Sequence, residues 1–125
     1  MSPRSDELLH SAQARLRSAR DQLAAGHHET AASTAYYAGL YAARSALSEL
    51  DLNARSHRGL WQMLRERVVA EGLLGREVVE PLQNAQALRE AVDYDAKQIG
   101  DEEARELLDA AQRLVTAVEE AFGDR

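Results

Sequence analysis

The sequence contains no cysteine, and this absence excludes several classes of chemistry. The chain has no disulfide framework, no cysteine nucleophile and no thiolate metal site, and it fits a reducing compartment. The first ten residues, MSPRSDELLH, include no apolar signal core, and no later run approaches the roughly 20 apolar residues of a membrane span. We therefore expect a cytoplasmic protein that does not enter a membrane.

Proline and glycine are also scarce. Two prolines and seven glycines interrupt 125 residues, and Ala, Leu, Glu and Arg dominate the runs between them. These residues are strong helix formers, and no segment has the two-residue period of a strand. The chain is 45% hydrophobic and 29% charged, which is typical of a globular protein. We expect one all-α domain over residues 1–125.

Two long helices are predicted in the first half of the chain. SDELLHSAQARLRSARDQLAAG has apolar residues at alternating steps of three and four. Ser5 or Asp6 is the expected cap at its start, and Gly26 the expected end. TAASTAYYAGLYAARSALSEL combines a face of small residues with a bulky apolar face. This second helix is expected to be the most buried.

Three further helices follow. A short one comes after the loop DLNARSHRG, and a fourth starts near Arg76 or at Pro81, whose fixed φ suits a first turn. The fifth opens with DEEARE, where Asp101 is the expected cap. Because the connections are short, neighbouring helices should be antiparallel. The prediction is an antiparallel four- to five-helix bundle.

Charge is unevenly distributed along a chain whose net charge is −6. Residues 80–125 hold twelve acidic against five basic residues, whereas residues 52–79 hold five arginines against three acidic residues. An acidic protein is not suited to coating nucleic acid non-specifically, but a local basic patch can still bind a phosphate chain.

No motif for a metal or a cofactor stands out. No two of the four histidines lie four positions apart, so no helix face presents a His-x-x-x-His pair. The sequence also lacks a phosphate-binding glycine loop and a Gly-x-Ser-x-Gly elbow. We expect neither a metal nor a cofactor.

Three tyrosines cluster on the second helix. Tyr37 and Tyr41 share a face at a spacing of four, and Tyr36 lies about 100° around the helix from Tyr37. One interpretation is that Tyr36 packs in the core while the other two line a helix interface. The other is that one hydroxyl opens into a cleft shared with the fourth helix.

The loop segment NARSHRG places Arg55, His57 and Arg58 at the start of the third helix. Helix N-terminal amides favour an anion, and two guanidinium groups strengthen that preference. The alternative is that Ser56 or Asn53 simply caps the helix while His57 lies half-buried beside Trp61 or Leu60.

The segment LREAVDYD, residues 88–95, is the remaining candidate site. Arg89 and Asp93 are four apart and can form a surface ion pair, which contributes only about 0.3–0.5 kcal/mol. A surface ion pair alone does not explain why Arg89, Asp93 and Tyr94 are grouped at the end of one helix, so the segment is a candidate site.

Three segments together, AASTAYYAGLYAARSAL, RSHRGL and LREAVDYD, resemble the HEPN domain family, over about residues 8–120. The resemblance is to the small stand-alone prokaryotic HEPN proteins. It implies a bundle of four long helices and a short one, a homodimer, and pairing with a small nucleotidyltransferase-fold protein, often as a toxin–antitoxin couple.

The resemblance also implies where a site would lie. Many HEPN toxins are metal-independent ribonucleases with an Arg followed, after four to six residues, by a His. Arg89 matches that arginine, but Tyr94 stands where the histidine is expected. A tyrosine, with a pKa near 10, is a poor general base at neutral pH.

Three functions remain open from the sequence. The first is a dimeric binding module for a nucleotidyltransferase-type partner and for RNA or a nucleotide, with Arg89 and Tyr94 in an inter-subunit cleft. The second is a ribonuclease toxin that uses Arg89 with Asp93, Tyr94 or His57. The third is a purely structural helical adaptor.

Overall fold

The computed structural model describes residues 1–95 and 99–123, and for residues 88–95 it describes the backbone alone. Its α-helices are α1 (Pro3–Ala24), α2 (His28–Glu49), α3 (His57–Leu64), α4 (Arg76–Asp95) and α5 (Asp101–Phe122). A π-helical turn, Arg65–Val69, continues α3. The two described ranges contain no strand, which confirms the prediction of an all-α helical bundle.

Hydrogen bonds between helices define their directions. The Ser45 hydroxyl near the end of α2 donates to the carbonyl oxygen of Ser5 near the start of α1, at 2.8 Å. Gln13 of α1 donates to Glu119 near the end of α5, at 2.9 Å, and Arg20, farther along α1, donates to Gln112, which lies earlier in α5. Helix α1 is therefore antiparallel to both α2 and α5, as the short α1–α2 connection predicts.

Helix α1 begins earlier than expected. Ser2, not Ser5 or Asp6, is its cap: the Ser2 hydroxyl oxygen accepts a hydrogen bond from the Ser5 backbone N–H at 3.1 Å. Pro3 occupies the first helical position, where its missing N–H costs nothing. The expected end is correct, since Gly26 has a φ of 85° and its N–H bonds the Leu23 carbonyl.

Helix α2 is the centre of the bundle, in agreement with the prediction. It packs against all four other α-helices, and its small-residue face is fully buried: Ala35, Ala38, Gly39, Ala42 and Ala46. Gly39 makes the closest approach, because a Cβ at this position would lie 2.6 Å from Cδ1 of Leu82 in α4. The main core also includes Trp61, Leu64, Val79, Leu114 and Phe122.

The start of α4 decides between two alternatives, and the start of α5 corrects one prediction. Helix α4 begins at Arg76, and Pro81 lies inside it. Asp101 was the expected cap of α5, but Gly100 holds that position, and its N–H donates to the Glu103 carboxylate at 3.0 Å. The Asp101 carboxylate instead accepts from Arg105 one turn later, at 2.6 Å, so it does not cap the helix.

In the described ranges no helix has both the length and the apolar character needed to cross a bilayer.

Candidate functional site

The start of α3 is built by a serine cap. The Ser56 hydroxyl oxygen accepts from the Gly59 N–H at 3.0 Å, and the Ser56 carbonyl accepts from the Leu60 N–H at 2.9 Å. This satisfies a first-turn amide that the helix itself leaves without a partner. His57 and Arg58 therefore occupy the first two helical positions, about 100° apart around the axis.

His57 packs against the tyrosines of α2. Its ring centroid lies 5.8 Å from that of Tyr37 in an edge-to-face arrangement, and 6.1 Å from that of Tyr36. Tyr36 is buried, and its hydroxyl oxygen accepts from the indole N–H of Trp61 at 3.0 Å. His57 is half-buried, as one of the sequence interpretations expects, but its ring neighbours are tyrosines.

Tyr41 belongs to a different environment. The Arg15 guanidinium lies 4.1 Å from its ring centroid, and the Arg44 guanidinium lies 5.8 Å away. Both geometries are cation–π contacts. Tyr41 thus joins α1 to α2, whereas Tyr37, one turn earlier, contacts His57 of α3.

Arg58 lines a surface cavity of about 600 Å³, which we call the arginine groove. Arg65 of the π-helical turn and Arg76, the first residue of α4, also line it. Gln62, Glu66 and Gln83 add polar groups, and Val69 and Ala70 add apolar ones. Two segments that are separate in the sequence, α3 with its π-helical turn and the start of α4, therefore bring three arginines to one surface.

Few carboxylates balance these arginines. Glu66 is the one acidic side chain among the described lining residues, and it accepts from the Gln62 amide at 3.1 Å. Arg76 pairs with Glu80 one turn along α4, at 3.2 Å, and their side chains are 70% and 45% exposed. The groove is thus a locally positive surface on a chain with a net charge of −6.

The other candidates from the sequence are Arg55 and three residues of α4. Arg55 is exposed in the loop before α3 and is not one of the residues that line the groove. Arg89, Asp93 and Tyr94 lie on α4, and their side chains are outside the described residues.

Acidic and histidine side chains form few clusters. Within residues 1–87 and 99–123, no three of them come together as ligands for a metal ion. His28 and Asp101 do form a pair at 3.5 Å between the starts of α2 and α5. Hydrogen bonding by Arg105, together with the charges of Arg105 and His28, lowers the pKa of the Asp101 carboxyl.

Sequence reasoning named Arg58 as a site residue, whereas Arg65 and Arg76 were included only in the arginine excess of residues 52–79. A signal was present for part of the groove, because positions 58, 62, 65 and 69 recur at steps of four, three and four along one helical face. No sequence period points to Arg76, which reaches the groove through the packing of α4 beside α3 and the π-helical turn.

Comparison with known proteins agrees with the family resemblance of the sequence. The HEPN domain family matches residues 5–121. The UPF0332 protein glr0978 of Gloeobacter violaceus is 32% identical over 94 residues, which are 75% of this chain and 75% of that protein. The protein named "Putative toxin MJ0142" of Methanocaldococcus jannaschii is 27% identical over 104 residues, which are 82% of this chain and 71% of that protein.

Proposed function

The chain belongs to the HEPN domain family, and from that premise we propose that it is a toxin-like HEPN module that binds RNA as a homodimer. Its regulator would be a nucleotidyltransferase-fold protein, in a toxin–antitoxin-like or defence system. The family match over residues 5–121 and the name of the Methanocaldococcus relative support the toxin-like part.

The observation that supports RNA as the target is the segregation of charge. The chain has a net charge of −6, yet Arg58, Arg65 and Arg76 converge on one surface. Local positive charge on an otherwise acidic protein favours a polyanion at one place and limits non-specific coating elsewhere. The proposal therefore concerns a localised RNA site.

The position of Arg89 is the reason to propose a dimer. In the HEPN toxins that this chain resembles, the arginine of this helix lies in a cleft between two subunits. We propose that Arg89 and Tyr94 line such a cleft and serve recognition of RNA, because no histidine follows Arg89 at the spacing required for cleavage.

Expression in a bacterial host tests the proposal. Wild type is expected to slow growth while leaving cellular RNA intact, and Arg89→Ala is expected to relieve the effect. Arg17→Ala, which removes an exposed arginine on α1, is the matched control and should behave as wild type. Co-expression with a nucleotidyltransferase-fold protein of the same genome is expected to restore growth and to yield a complex that co-elutes.

Three outcomes contradict the proposal in different ways. RNA cleavage that disappears in Arg89→Ala would make the protein a ribonuclease. A clean monomer in size-exclusion chromatography with light scattering would remove the shared cleft. A harmless dimer that binds neither RNA nor a nucleotide would leave only the structural adaptor.

A further inference from the structure

The arginine groove is a second candidate surface, and its described lining residues do not include Arg89 or Tyr94. We propose that it holds consecutive backbone phosphates of single-stranded RNA, an inference that depends on the proposed function for its choice of RNA. Arg58, Arg65 and Arg76 would each face a phosphate, since a planar guanidinium matches phosphate oxygens with paired N–H donors.

The existing contacts of Arg65 and Arg76 leave the charge of these two residues available to an anion. Among the described residues no carboxylate pairs with Arg65, and the one carboxylate in the described lining, Glu66, accepts from Gln62 and keeps its charge. The Arg76–Glu80 pair joins an exposed arginine to a half-exposed glutamate, so it contributes little stability and can be exchanged for a phosphate. An anion entering the groove therefore meets Arg65 and Arg76, whose existing contacts cost little to exchange.

The π-helical turn is an independent observation at the same place. The Ala70 N–H bonds the Arg65 carbonyl at 2.9 Å, and the Leu73 N–H bonds the Val68 carbonyl at 3.0 Å; both bonds span five residues. Such turns are rare and frequently occur at functional sites. Here the turn itself supplies Arg65 and Glu66 to the groove and places Val69 and Ala70 beside them.

The shape of the groove favours a passing strand over an enclosed small molecule. Arg58, Gln62, Arg65, Glu66 and Arg76 are all exposed, whereas small-molecule sites bury most of the ligand between apolar walls. None of the described lining residues is aromatic, so bases gain no stacking partner there. Contact should therefore be with the backbone and should be indifferent to base identity.

The test measures the affinity of the full chain for labelled single-stranded RNA as a function of salt. Oligouridylate and oligoadenylate of roughly 12 nucleotides lie within the range of known single-strand site sizes. Wild type should bind both with similar affinity. Phosphate contacts on single strands contribute about −0.7 each to the slope of log affinity against log salt, so three contacts contribute about −2.

The decisive comparison is between two neighbouring arginines. Arg65→Gln should weaken binding roughly tenfold and make the slope shallower by about 0.7. Arg67→Gln removes the same charge from the same exposed π-helical turn, but Arg67 does not line the groove, so binding should stay within about twofold of wild type. Thermal unfolding of both variants checks that the fold is kept.

The outcomes separate this inference from the proposed function. If wild type binds RNA and Arg65→Gln weakens it no more than Arg67→Gln, the groove is not the site, while the proposed function stands. If wild type binds ATP or inorganic triphosphate through Arg65 but not RNA, the phosphate site stands and RNA fails. If it binds none of these at low salt, both proposals are overturned.

Discussion

The indole N–H of Trp61 donates a hydrogen bond to the hydroxyl oxygen of Tyr36 at 3.0 Å, inside the core where α3 meets α2. Both side chains are almost fully excluded from solvent, with exposures of 0% and 1%. A buried indole N–H without an acceptor would lose its hydrogen bond to water and would form no other, which destabilises the fold. This bond therefore holds the start of α3, with His57 and Arg58, in place against the central helix.

Replacing Tyr36 by Phe is expected to destabilise the protein by about 1–3 kcal/mol, because the buried Trp61 N–H loses its acceptor while the ring is kept. Urea-induced unfolding measures the change. Tyr41→Phe is the control: its ring stays between Arg15 and Arg44, so a change of at most about 0.5 kcal/mol is expected. Equal effects of the two substitutions would contradict the importance of the Trp61 bond.

Gly39→Ala is expected to destabilise the α2–α4 contact. The new Cβ would lie 2.6 Å from Cδ1 and 2.8 Å from Cγ of Leu82, which is itself fully buried. Overpacking of this kind costs about 1–3 kcal/mol, partly offset by the better helix propensity of alanine, about 1 kcal/mol.

The matched test for this contact is a double-mutant cycle with Leu82→Ala. Removing the leucine side chain makes room for the new methyl group, so Gly39→Ala should cost less, or even stabilise, in the Leu82→Ala background. Additive effects in thermal or urea unfolding would show that Leu82 does not limit the space at Gly39.

A third prediction concerns acid stability at the α1–α2 contact. The Ser2 backbone N–H donates to the Glu49 carboxylate at 3.0 Å, and this hydrogen bond lowers the pKa of Glu49 below the ordinary value of 4.5. A carboxyl group with a lowered folded-state pKa stabilises the fold above its ordinary pKa, and the contribution is lost as pH falls through the folded-state value. Glu49→Gln should therefore be less stable than wild type at neutral pH, with a gap that closes below about pH 4.5.

Unfolding free energies measured from pH 3 to pH 7 check this sign. Glu120→Gln, which removes one exposed carboxylate from α5, corrects for the change in net charge. A stability gap between Glu49→Gln and this control that widens on acidification would contradict the assignment.

The fold was largely predictable because its signals are local and repeated. The burial of Gly39 and its alanine neighbours follows from one period along one helix. Helix ends were less predictable, because several nearby residues satisfy the same capping rule. Ser2, Ser5 and Asp6 all qualify for α1, and the choice of Ser2 depends on Pro3 extending the helix and on the buried contact between Ser5 and Ser45.

The arginine groove was predictable only in part, for a different reason. Arg58 was found because it lies beside a recognisable cap, and Arg65 lies on the same helical face two turns later. Arg76 is separated from them by the segment 70–75, whose path is set by the packing of Leu74 into the core and by the positive φ of Gly72. Tertiary packing of this kind leaves no period in the sequence.

The last prediction distinguishes RNA recognition from RNA cleavage through His57. The imidazole is half-buried and packs edge-to-face on Tyr37, 5.8 Å between centroids, so a ring at this position should preserve most of the packing. His57→Phe is therefore expected to stay within about 1 kcal/mol of wild-type stability, to bind single-stranded RNA within about twofold of wild type, and to keep its effect on bacterial growth. Binding assays, growth curves and RNA integrity are measured together, with His57→Ala as the variant that loses the ring.

If His57→Phe keeps RNA binding but abolishes toxicity along with RNA cleavage, the imidazole moves a proton and the protein is a ribonuclease. If only His57→Ala impairs function, and in proportion to its loss of stability, His57 is a packing residue that positions α3.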